Sequence, residues 1–150
     1  MKAANPLIRL SLSVLLIGVS SLLYAVEDEQ GFITLQKDEL VWTEVGNEGL
    51  KVAILHGNPG AEGLYIMRII FPAGVFSRPH SHNQDRFVTV IEGAWFTGKQ
   101  MQWDKANTVA IKAGGYMKHP AGAIHYDGAK DSAVTVEIRG MGPVTTSYVE

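Results

Sequence analysis

The sequence predicts an all-β single domain, either a sandwich or a closed barrel, and three observations carry that reading. Short β-rich runs recur between clusters of Gly, Pro, Asn and Asp. No stretch after residue 30 keeps a helical period of apolar residues for three turns. Gly is abundant at 16 of 150 residues while charged residues make up only 19%, the balance of a turn-rich chain rather than a helical bundle.

Residues 1–25, MKAANPLIRLSLSVLLIGVSSLLYA, read as a secretory signal peptide. Lys2 and Arg9 make a positive start, Leu10 to Leu23 are apolar apart from small Ser and Gly residues, and Ala25 is a cleavage position with Glu27, Asp28 and Glu29 beyond it. The apolar stretch is shorter than the ~20 residues a membrane span requires. The expectation is therefore export to the periplasm, with no stable membrane insertion after processing. Residues 26–150 are then one domain, as the length favours.

Within that domain about ten short strands are expected. They are Phe32–Gln36, Leu50–Leu55, Gly63–Phe71, Arg86–Glu92, Ala94–Thr97, Thr108–Lys112, Tyr116–His119, Ala123–Tyr126, Ala133–Arg139 and Thr145–Val149. Turn chemistry separates them at Gly57-Asn58-Pro59-Gly60, Pro72-Ala73-Gly74, Gly114-Gly115 and Gly140-Met141-Gly142-Pro143. Close, regular spacing of this kind points to a sandwich or closed barrel. The run Gly63–Phe71 is apolar on both faces except for Arg68, so it is either a central core strand or the seam of a homodimer.

Composition removes several function classes. The formal net charge is −2 and the Lys and Arg residues are scattered, which leaves no electrostatic footprint for nucleic acid. Cysteine is absent, so disulfides, thiolate metal sites and Cys nucleophiles are excluded. Neither a Ser-His-Asp order nor a carboxylate pair can be identified to support a metal-free hydrolase.

Histidine carries the chemistry. Four of the five histidines occupy two windows, residues 80–82 and 119–125, and His56 stands apart in a turn. On an extended strand alternate side chains share a face, so His80 and His82 point the same way. If the extension persists, Gln84 and Arg86 follow them. Two imidazoles on one inner face form most of a facial metal site, and His125, brought back by the turn at Pro120, supplies a third. Neutral imidazole suits Fe, Mn, Zn, Ni or Cu at roughly 2.0–2.2 Å. Gln84 has the parity of a neutral fourth ligand.

At these residues the sequence resembles the cupin superfamily. Gly74, His80, His82 and Gly93 match its first motif, and Gly114, Pro120, Gly122 and His125 match its second, at the right spacing in both. Most of residues 40–149 is similar to small exported bacterial cupins. The resemblance implies a double-stranded β-helix, or jelly-roll barrel, often dimeric, with one divalent transition metal in its mouth. The chain departs from the pattern twice. Ala129 stands at the final Asn position. Arg86 stands where the motif carries a Glu ligand, which removes an anion from the site and adds a cation.

An inward Arg86 is suited to grip a carboxylate or another anionic small molecule bidentately. An outward Arg86 would pair with Asp85 or Glu92. The sequence thus supports a metal-dependent enzyme of the dioxygenase, isomerase or decarboxylase kind, or a non-catalytic module that binds a small ligand or metal. It does not choose between them.

Overall fold

The computed structural model describes residues 27–149, and the signal peptide expected at 1–25 lies outside the described residues. The strands are β1 (Thr43–Val45), β2 (Leu50–His56), β3 (Gly63–Phe71), β4 (His80–His82), β5 (Arg86–Glu92), β6 (Ala94–Gly98), β7 (Val109–Lys112), β8 (Tyr116–His119), β9 (Tyr126–Gly128), β10 (Val134–Gly142) and β11 (Thr146–Tyr148). One 3-10 turn, Lys37–Glu39, precedes them. No helix among the described residues is long and apolar enough to cross a membrane.

All strand pairs are antiparallel. One sheet runs β1-β2-β3-β10-β5-β8. Facing it is a broken layer made of β7-β6-β9 and β11-β4, stitched together by isolated bridges between Phe76 and Gly128 and between His80 and His125. The core lies between the layers. Tyr65, Met67 and Phe71 from β3, Val88 and Val90 from β5, and Val134, Val136 and Ile138 from β10 alternate inward and are buried, as is Trp95 of β6. Burying a side chain of this size contributes ~1.5–3 kcal/mol. β3 is flanked on both sides, by β2 and β10, so its inner apolar face is accounted for by the core.

Two motif glycines have a conformational reason. Gly93 turns β5 into β6 at φ +80°, and a Cβ there would stand 2.7 Å from the Ala133 carbonyl oxygen. Gly122 adopts φ +74° in the turn where the Ala123 N–H donates to the Pro120 carbonyl. L-residues rarely adopt such angles.

Most expected strands appear within a residue or two of their predicted ends, with three corrections. Phe32–Gln36 is not a strand; Ile33 makes only a bridge to Glu27, and the polar residues that follow close the 3-10 turn, with the Glu39 carboxylate accepting from the Gln36 N–H at 2.6 Å. β1 was not expected, because its residues are exposed throughout and show no alternation. Finally, His125 is not inside a strand that begins at Ala123. It is held by its bridge to His80, just ahead of β9.

Candidate metal centre

The backbone brings the two histidine windows together. His80 and His125 are a cross-strand pair whose N–H groups each donate to the other's carbonyl at 2.9 Å. On the six-stranded sheet, Arg86 of β5 is registered against His119 of β8 and Gly140 of β10. All of these side chains, with His82 and Asp127, are buried. One ring nitrogen from each of His80, His82 and His125 lies within 4.8 Å of the others.

The main chain sets the tautomers of His80 and His125, and Arg86 on Nε2 sets that of His82, whose Nδ1 is as close to Thr146 Oγ1 as to the main chain. His80 Nδ1 donates to the Arg78 carbonyl at 2.7 Å, His125 Nδ1 to the Ala123 carbonyl at 2.9 Å, and His82 Nδ1 to the Thr145 carbonyl at 3.2 Å. Each ring therefore keeps its Nε2 lone pair for the cavity, the arrangement by which second-shell carbonyls orient metal-binding imidazoles. Burial lowers all three pKa values, that of His82 to about 3 and that of His125 to about 4, with Arg86 adding to the effect. At neutral pH the rings are uncharged and need lose no proton to bind a cation.

Arg86 points inward. Its Nη1 donates to His82 Nε2, so one of the three lone pairs is held by a cation. The outward alternatives are taken by other residues: Asp85 pairs with Lys118 at 2.6 Å and Glu92 with Lys37 at 2.6 Å. Gln84 is half-exposed in the bend between β4 and β5. Strand alternation does not run through that bend, so its parity argument lapses. His56 is exposed.

Two residues that the spacing argument passed over complete the cluster. His119 lies against His125, ring centroids 3.7 Å apart, and 5.4 Å from the ring of Trp95. Asp127 is buried with its carboxylate oxygens 3.7 Å from His119 Nε2 and 3.7 Å from His125 Nε2. Burial pushes its pKa up to about 7, against the pull of the Thr97 hydroxyl and the Arg86 guanidinium. Burial lowers His119 to about 2, helped by the neighbouring His125 and Arg86. The signal for Asp127 was present in the sequence: it stands two residues after His125, the same spacing that pairs His80 with His82.

Buried polar atoms without a protein partner gather here: both ring nitrogens of His119, His125 Nε2, Asp127 Oδ1, Arg86 Nε, Thr97 Oγ1 and Tyr65 Oη. Each such atom costs roughly 1–3 kcal/mol if nothing satisfies it. A purely structural interior would not concentrate them in one place. The donor set, neutral nitrogens and a carboxylate, fits a divalent transition metal.

The architecture has solved counterparts. The polyketide cyclase RemF from Streptomyces resistomycificus superposes with a TM-score of 0.63 at 16% identity, covering 79% of this chain and 87% of its own. A proposed acetylacetone dioxygenase from Methylibium petroleiphilum gives 0.61 at 20% identity, over 83% and 85%. An RmlC-like cupin from Shewanella frigidimarina gives 0.58 at 18%, over 73% and 90%. The barrel has the cupin fold. No protein-family model and no curated protein matches the chain, and at these identities the likeness speaks for the cupin fold alone.

Proposed function

We propose that this cupin binds one divalent transition metal, Fe, Mn, Zn, Ni or Cu, in the histidine cavity and uses it to act on a small anionic molecule. The observation that carries the reading is the triple anchoring of Nδ1, on the Arg78, Thr145 and Ala123 carbonyls, which commits three imidazoles to offer Nε2 to one space. His80, His82 and His125 would hold the ion, and when bound it would supply a Lewis acid with open positions for a chelating molecule.

Arg86 is the specificity element. Buried and already within hydrogen-bond reach of the site, its guanidinium would take a carboxylate or similar anion bidentately. In doing so it would release His82 Nε2, so the three-histidine seat becomes complete when the anion arrives. Dioxygenation, isomerisation and decarboxylation all suit such a centre, and solved counterparts named as a polyketide cyclase and a proposed acetylacetone dioxygenase support a reading of this kind. A non-catalytic metal or ligand carrier uses the same residues and is the second reading. It asks for no general base, a role for which Asp127 is poised among the described site residues.

The setting is proposed to be the periplasm, after loss of residues 1–25. A homodimer is proposed through the outer face of the six-stranded sheet, where Leu64, Phe87 and Met141 are exposed; light scattering of the purified protein checks it. Metal analysis of the protein recovered from its native host tests the central reading. Near-stoichiometric metal, lost in His125→Gln, is the expected result. A folded wild-type protein that carries none and takes up none on dialysis would refute it.

A further inference from the structure

We propose that Asp127 replaces the carboxylate missing at position 86, and that with His119 and His125 it forms a second, inner seat for the metal, filled while Arg86 holds His82. The inference rests on the metal reading above and states where the ion sits before an anion arrives.

The two candidate ligand sets share His125, so they are alternatives. In the outer set one donor is engaged, because His82 Nε2 accepts from Arg86 Nη1. In the inner set every required donor is free: His119 Nε2, His125 Nε2 and Asp127 Oδ1 are all buried without a hydrogen-bond partner. The two Nε2-to-carboxylate separations are 3.7 Å. That is too long for hydrogen bonds. Ligand atoms held about 2.1 Å from one ion lie roughly 3.0–3.4 Å apart in octahedral or tetrahedral geometry; the three inner ligand atoms lie within 4.8 Å of one another, so the set must draw in to close on an ion.

Charge points the same way. The inner set brings an anion to a dication, whereas the outer set offers three neutral rings; the Arg86 guanidinium acts on both, and only the inner set carries a charge to offset it. Two histidines and one carboxylate on one face, with positions left open, is also an established donor arrangement for iron and its neighbours. The fold supplies it from two layers, His119 from the end of β8 and His125 with Asp127 from the chain at β9.

Loading the full chain with Cu2+ and counting coupled imidazoles by electron spin-echo modulation separates the seats. Two imidazoles are expected in the wild type, with Co2+ affinity weakened more than about tenfold in Asp127→Asn and in His119→Gln, the loss that even an outer-shell group produces. His80→Gln, outside the inner set, should weaken Co2+ affinity less than either of those variants. Three imidazoles in the wild type, or Co2+ affinity that falls in His80→Gln but not in Asp127→Asn, would overturn the inner seat and leave the metal reading standing. A wild-type protein that binds neither ion overturns both. The imidazole count needs no variant, so a misfolded mutant does not decide the matter.

Discussion

Arg86 and Asp127 are the two residues on which the proposed site turns, and they were not equally legible. Arg86 announced itself by standing at a position where the motif carries Glu, and the structure settles its direction by placing its guanidinium on His82. Asp127 gave only a parity signal, which no motif spacing flagged. Arg86→Gln tests the role of the guanidinium. Removing the cation frees His82 Nε2 and deletes a positive charge beside the ion, worth a few kcal/mol at an effective dielectric of about 20. Co2+ should bind about tenfold tighter or better, as read by calorimetry. Unchanged affinity would mean that the guanidinium does not compete for the site.

At the scale of elements, legibility followed alternation and punctuation. β3, β5 and β8 were read with the ends observed because apolar alternation and flanking Gly or Pro residues define them. β1 was missed for want of a buried face, and Phe32–Gln36 was over-read because β-prone residues there find no partner strand. How His125 and β11 meet β4 depends on long-range pairing that no local pattern encodes. β11 is fastened through Asn83, whose Nδ2 donates to the Pro143 carbonyl at 3.1 Å and whose Oδ1 accepts from the Thr145 N–H at 2.7 Å. Asn83→Ala should cost roughly 1–2 kcal/mol and hasten amide hydrogen exchange in β4 and β11; equal exchange rates would show that the clamp is idle. β9 is packed without slack, since a Cβ on Gly128 would stand 2.3 Å from the Val75 carbonyl oxygen. Gly128→Ala should therefore destabilise by at least ~1–3 kcal/mol, and an unaltered thermal midpoint would contradict the tight seam that presents Asp127.

For the whole molecule, four buried histidines make stability depend on pH. The folded pKa values of His82, His119 and His125 fall to about 3, 2 and 4, below the ~6.5 of an unfolded histidine. The unfolded chain therefore takes up protons first, and the stability present above pH ~6.5 is lost as pH falls toward 4. Asp127, raised to about 7, binds its proton in the folded state over the same window and offsets one histidine. Three less one leaves two protons, and His80, lowered in the same direction, adds to them, so the slope is at least on the order of 2–3 kcal/mol per pH unit. Denaturant unfolding at pH 7, 6 and 5 checks the sign; stability that rises on acidification would contradict the burial of neutral rings. The barrel was legible as a barrel because period-2 patterning and turn residues are local. The way its two layers pool four buried histidines and a buried aspartate was not.

The most direct test of the account is calorimetric titration of Co2+ into the metal-free wild-type protein and into His125→Gln, the one residue common to both candidate seats. One ion per chain in the wild type, with binding abolished in the variant, is the expected result. Equal binding by the two proteins, or none by a folded wild type, would contradict it.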